Sequence, residues 1–331
     1  SGCFHHAASK QRTMIDWLPW CRSALELFGI CSAWTFIWLV IFYALVWMSR
    51  VIASRGAFPL SDKSRENDHY WIARNVVGII HALTVAGLTF FPLVTMLRAP
   101  RHIGFASGDL PETCASNKFP EESVAGEAIA QGGVAFISFI LADMTLSALH
   151  DLATLDHLVH HAAFLVAGII IRRHCMLPLN AAILLSMEIS TPFLNTTLLL
   201  RNRGDAFSSI VTISGICFVV FFLIFRLILN SYGALLLWLH RENAMPDTVP
   251  LWQQYFLFAA IQVGTLLQFY WLPQIARTFL KALSAMSSPP EAKELLKDVP
   301  VPNEEHEPAA KLSQDEAVRL RRKTASSKGL E

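Results

Sequence analysis

The chain has 331 residues, 53% of them hydrophobic and 16% charged, against roughly 25% charged residues in soluble domains. Its mean hydropathy is +0.41. Lys plus Arg number 27 against 26 Asp plus Glu, a net charge of +1. These values exclude a soluble globular enzyme, a disordered chain and a basic nucleic-acid binder, and they describe a polytopic helical membrane protein.

Residues 1–27 form an N-terminal segment without the charged start and adjoining apolar core of a secretory signal. A chain that opens on Ser1 is expected to be trimmed or processed. Within it, Met14–Leu27 mixes Trp17, Leu18, Trp20 and Leu25 with Asp16, Arg22 and Glu26. This reads as an interfacial helix with Pro19 near its start.

A span needs about 20 apolar residues. Phe28–Met48, free of charge, is the first candidate. Trp71–Leu97 carries Arg74, and Gly132–His150 carries Asp143. His157–Ile171 is short and runs on to Arg172 and Arg173. Leu177–Leu200 carries Glu188 and is kinked by Pro192. Phe207–Leu229 carries Arg226 and can continue to Trp238, and Leu251–Phe279 has no charge before Arg277. The expected fold is all-α, with about seven transmembrane helices and termini on opposite sides. Trp47, Trp71, Trp238 and Trp252 fall at predicted span ends, where indole favours the interface. Lys and Arg are balanced between the two sides, so the positive-inside rule sets no orientation.

Beyond the last span, residues 284–331 are polar. Ser287-Ser288-Pro289-Pro290 stops the helix. Ser313 and Glu316 have capping-box spacing ahead of the basic stretch Arg319–Lys323. A short soluble helix is expected there, either a contact for other membrane subunits or anionic lipid, or a solvated tail. The six cysteines form no CxxC pair. Cys31, Cys175 and Cys217 sit in or at apolar runs as small hydrophobes.

Ionisable groups inside spans are costly and mark function. They are His81, Asp143, His157, His160, His161, Glu188 and Arg226. His157, His160 and His161 share a helix face at i, i+3 and i+4. Asp143, Ser147 and His150 form a stripe at i, i+4 and i+7. Glu188, Thr191 and Asn195 form another at i, i+3 and i+7, and Arg74 and His81 are seven apart. The economical arrangement has all of them face one central cavity; the alternative is pairwise bonding, for instance Arg74 with Asp143. The histidines admit three readings: metal ligands, a base or nucleophile, or structural hydrogen bonding. A membrane di-iron site needs several such boxes, and this chain has one. No metal site is assigned.

Several segments carry a resemblance. Gly78-Ile79-Ile80-His81-Ala82, the helix ending in Asp143, the pair His160-His161, Glu188-Ile189-Ser190-Thr191-Pro192-Phe193-Leu194-Asn195 and Gln268-Phe269-Tyr270-Trp271 are together similar to the TLC domain. That domain is shared with ceramide synthases. The Glu188–Asn195 segment resembles the branch outside those synthases. The likeness covers residues 71–283, leaving 28–48 as an extra first helix. It implies a six-helix bundle around a cavity for a lipid acyl chain.

It further implies His160 and His161 as the acyl-accepting or basic centre, with Asp143 and Glu188 as orienting carboxylates. His81, Arg74, His157, Thr191 and Asn195 would line the cavity. The HxxHH spacing also resembles fatty-acid elongases, but the Glu188–Phe193 segment argues against that assignment. The expected activity is acyltransferase-like on a membrane lipid. No cofactor would be bound tightly, acyl-CoA would be co-substrate, and no nucleic acid is expected. The alternative is a non-catalytic subunit of a larger membrane complex holding a structural lipid. The expected setting is the endoplasmic reticulum or another endomembrane, or alternatively the mitochondrial inner membrane. No repeat or paired Gly/Pro break points to transport.

Overall fold

The computed structural model describes residues 24–56, 65–98, 120–150, 154–174, 176–201, 203–242 and 249–287, with single positions 152, 244 and 245 and a few internal gaps. Among the described residues there is no strand. The helices are α1 (Ala24–Ser54), α2 (Arg65–Arg98), α3 (Pro120–Leu149), α4 (Leu155–His174), α5 (Pro178–Ser186), α6 (Thr191–Leu200), α7 (Ser208–Phe221), α8 (Asn230–Leu239) and α9 (Leu251–Ser287). A 3₁₀ turn, Met187–Ser190, joins α5 to α6, and a π-helical stretch, Phe222–Leu229, joins α7 to α8.

All seven expected stretches are helical, and six of them are long and apolar enough to cross a membrane. The six do not include Leu155–His174, which carries the three histidines and ends in Arg172, Arg173 and His174. Its 20 residues still extend about 30 Å. The surface is apolar where lipid would meet it. Phe36, Phe91, Ile213, Ile228 and Leu239 are all exposed, the reverse of a soluble protein.

Several boundaries differ from expectation. Helix α3 begins at Pro120, twelve positions before Gly132, because Glu127 and Gln131 interrupt the apolar run without interrupting helical hydrogen bonding. Residues 14–23 of the expected interfacial helix lie outside the described residues, and 24–27 form the first turn of α1. The polar tail expected beyond Ser287, including Ser313–Lys323, also lies outside them. Trp47, Trp238 and Trp252 point outward, whereas Trp71 lines the cavity described below.

The chain divides into residues 1–279 and 280–331. The second unit's described part is the end of α9. In the first, α1 packs on α2 and α3 through buried Trp38, Phe42 and Val46. Its Trp38 indole donates to Ser138 Oγ at 3.2 Å. Asn180 donates to Gly233 O at 3.0 Å, tying α5 to α8. Asn230 donates to Thr265 Oγ1 at 3.1 Å, tying α8 to α9. Such interhelical polar bonds do in lipid what apolar burial cannot.

Pro192 shapes the α5–α6 segment. It has no N–H to give to the carbonyl four residues back, that of Glu188. The 3₁₀ turn supplies the substitute: Thr191 N–H donates to Glu188 O. The kink expected from sequence is therefore a tightened turn that carries Glu188 and Ser190. The π stretch has no sequence signature. It places Arg226 opposite that turn.

Candidate functional site

A cavity of about 470 Å³ lies inside the helices. Its walls come from α2 (Trp71, Arg74, Asn75, Gly78, His81), α3 (Phe136, Phe139, Ile140, Asp143) and α4 (His157, His160, His161, Phe164). The α5–α6 segment adds Glu188, Thr191 and Asn195; the π stretch adds Arg226; α9 adds Trp271 and Gln274. The structure thus brings all nine sequence-selected residues to one cavity: His160, His161, Asp143, Glu188, His81, Arg74, His157, Thr191 and Asn195. Ser147 and His150, expected on the same stripe as Asp143, are elsewhere. Ser147 is buried away from the cavity. His150 falls past the end of α3 and stacks on Tyr70 with ring centroids 4.0 Å apart.

One end of the cavity is a charged network. Arg74 Nε donates to Asp143 Oδ1 at 2.8 Å, and Nη2 donates to Oδ2 at 3.1 Å. Nη1 donates to Leu152 O at 2.8 Å. Arg74 Nη2 is also 2.7 Å from His157 Nε2. His157 Nε2 also lies 3.0 Å from Asp143 Oδ2, so this one nitrogen faces the guanidinium donor and the carboxylate acceptor at once and bridges the ion pair. His161 Nδ1 lies 3.3 Å from Asp143 Oδ2, an ion-pair distance without hydrogen-bond alignment. The His157 and His161 rings are 3.8 Å apart. His160 is set edge-on between Phe164 and Trp271, at 4.5 and 5.8 Å. Asp143 is the carboxylate beside the histidines; Glu188 is not.

Asp143, His157 and His161 offer ligand atoms within 4.8 Å of one another, a spacing a metal ion can bridge. Arg74 takes both Asp143 oxygens and His157 Nε2, so a guanidinium already sits where such a cation would.

The other end is built around Arg226. Its Nε donates to Ser190 Oγ at 2.8 Å and to Met187 O at 3.3 Å. Its Nη2 donates to Thr191 Oγ1 at 2.9 Å. Between the two ends, His81 stacks flat on Phe139 at 3.8 Å. It is 1% exposed, and neither ring nitrogen has a hydrogen-bond partner among the described residues. A smaller apolar pocket of about 70 Å³ shares Phe136, Phe164 and Leu184 with the main cavity.

Sequence reasoning missed Phe136, Phe139 and Phe164 as cavity walls. Their signal was periodicity, since Phe136 and Phe139 lie seven and four residues before Asp143, and Phe164 three after His161. It also missed a buried ion pair outside the cavity. Arg203 Nη2 and Nη1 donate to Asp68 Oδ1 and Oδ2 at 2.8 and 3.0 Å.

The chain is therefore an all-helical integral membrane protein in which Arg74, His81, Asp143, His157, His160, His161, Glu188 and Arg226 surround one internal cavity. The TLC-domain family model matches residues 72–277, more than half of the chain, and the chain belongs to that family. No curated protein and no solved structure matches it.

Proposed function

We propose that the cavity holds a membrane lipid and that the protein transfers an acyl group from acyl-CoA to it. The observation that supports this reading is the placing of His157 and His161 beside Asp143, with His160 in the same cavity, which has an apolar extension. The aromatic walls and the smaller pocket behind Phe136 and Phe164 suit an acyl chain, worth about 0.8 kcal/mol per buried CH₂. His161 is the base of this reading. With Asp143 beside Nδ1, its Nε2 accepts a proton from an acceptor hydroxyl or amine as that atom attacks the thioester carbonyl. The C–S bond breaks, and the departing thiolate takes the proton from the imidazolium. Asp143 stabilises that imidazolium, and the water-poor cavity limits hydrolysis. His160, wedged by Phe164 and Trp271, holds the acyl group in place. An endomembrane such as the endoplasmic reticulum is the setting this reading implies.

The test is thiol release from acyl-CoA in proteoliposomes. His160→Ala and His161→Ala are expected to abolish turnover at unchanged melting temperature. Retained activity in both variants sinks the proposal.

A second reading draws on Arg74. By engaging both Asp143 oxygens and His157, it makes a self-sufficient network that needs no substrate. That favours a lipid-holding subunit without catalysis, and the same assay separates the two: lipid retained with no thiol release selects the subunit.

A further inference from the structure

We propose that the Glu188–Arg226 end of the cavity recognises the head group of an aminophospholipid, with its phosphate on Arg226 and its primary ammonium on Glu188. This rests on the reading that the cavity holds a lipid, and it names the class of that lipid.

Arg226 spends its contacts on neutral acceptors: Ser190 Oγ, Met187 O and Thr191 Oγ1. A guanidinium has five N–H donors. One is shared by Ser190 and Met187, and one goes to Thr191. Three remain, on the edge that grips a phosphate bidentately. Glu188 lines the same cavity and lies in the 3₁₀ turn whose Met187 O and Ser190 Oγ Arg226 contacts. It makes no hydrogen bond and no ion-pair contact among the described residues.

A carboxylate and a guanidinium inside the membrane, neither paired by contact, are costly. A ligand relieves both only by bringing an anion to one and a cationic N–H donor to the other. A fatty acid or a coenzyme phosphate supplies the anion alone and leaves Glu188 bare. A choline head group supplies a cation without an N–H. A phosphate and primary ammonium on one head group supply both. Such a net-neutral head group also suits a cavity whose charges, Arg74 and Arg226 against Asp143 and Glu188, already cancel. Asn195, on the same wall, adds an amide that can bond the phosphate or the glycerol ester.

The experiment reconstitutes the full chain into nanodiscs of equal phosphatidylethanolamine, phosphatidylcholine and phosphatidylglycerol. Lipid retained after transfer to detergent is then counted by class with native mass spectrometry. Wild type is expected to enrich phosphatidylethanolamine about tenfold over phosphatidylcholine. Glu188→Gln, which keeps size and removes no observed contact, is expected to keep lipid and lose that enrichment. Arg226→Gln is expected to lower total phospholipid. Enrichment unchanged in Glu188→Gln overturns the assignment. Wild-type lipid retained without class preference overturns the head-group assignment and leaves the cavity reading standing. Wild type that retains no lipid of any class overturns both.

Discussion

Arg74 grips Asp143 through both carboxylate oxygens, across 69 positions of sequence, and the same guanidinium edge holds His157. This one contact joins α2, α3 and α4 at the polar end of the cavity. It also fixes which atoms are open to chemistry, because both Asp143 oxygens and His157 Nε2 are already engaged.

Removing one member of such a pair leaves a buried charge uncompensated, at about 3–5 kcal/mol. Asp143→Ala and Arg74→Ala are both expected to lower the melting temperature in detergent sharply. Arg74→Lys keeps the charge but loses the two-pronged grip, so it should fall between wild type and Arg74→Ala. The double substitution Arg74→Met with Asp143→Leu should recover much of the loss. Equal melting temperatures for wild type and Asp143→Ala would contradict the pairing.

His157 and His161 should separate cleanly. His157 Nε2 bridges Arg74 and Asp143, so His157→Gln, whose amide offers both a donor and an acceptor, is expected to melt near wild type. His157→Leu removes that bridge from a buried ion pair and is expected to cost about 1–3 kcal/mol. His161→Ala is expected to spare the melt and remove turnover, about 10²–10⁴-fold for a lost general base. Melting curves and thiol release on the same preparations show whether the two histidines divide in this way.

Gly78 faces Asn195 so closely that a Cβ there would collide with Asn195 Nδ2. Close approach through a small residue is how membrane helices pack. Gly78→Ala is expected to destabilise by about 1–3 kcal/mol, and Asn195→Ala should rescue it in the double variant. Gly87, with open space around its Cβ position, is the control, where alanine should be neutral or better. A Gly78→Ala protein as stable as Gly87→Ala would show that Asn195 turns aside freely.

What the sequence made legible follows from period and cost. Asp143, Glu188 and the three histidines stand out because apolar spans have few ionisable groups, and 3.6-residue spacing puts their neighbours on the same face. The extent of α3 was hidden because polarity marks the edge of a membrane, and a helix continues past that edge. His150 was misplaced because a stripe read at i+7 assumes that the helix persists, and α3 ends at Leu149. Arg226 was seen, but its partners were not. A π stretch rotates every residue after it away from the 3.6-residue face, and nothing in Phe222–Leu229 announces one. The Asp68–Arg203 pair joins two residues outside the apolar runs, 135 positions apart, where no periodicity applies.

That pair carries its own expectation. Both side chains are almost fully buried, at 4% and 2%, and Arg203 Nε also donates to Leu199 O at 2.6 Å. It pins the start of α2 to the turn after α6. Asp68→Asn keeps shape but removes the charge that Arg203 needs, so a loss of about 3–5 kcal/mol is expected. Because the pair lies outside the cavity, lipid class and turnover per folded molecule should be unchanged. Altered lipid selectivity in Asp68→Asn would mean that the two regions are coupled.

His150 sets a pH dependence whose sign can be worked out. It stacks on Tyr70 and lies 3.2 Å from Tyr43 Oη. Burial holds its pKa below the ordinary 6.5, because the charged ring loses solvation. The unfolded chain keeps the ordinary value. In the window between the folded pKa and 6.5 the unfolded state therefore binds more protons, and stability rises with pH. The contribution is complete above 6.5 and is lost as pH falls through the window. His150→Phe keeps a ring against Tyr70 and does not titrate. Melting temperatures of wild type and His150→Phe, followed from about pH 8 to about pH 5, should diverge, with wild type falling faster on the acid side. The other histidines titrate in both proteins and cancel in the difference. A difference that stays flat across the window would show that His150 is as well solvated in the fold as in the unfolded chain.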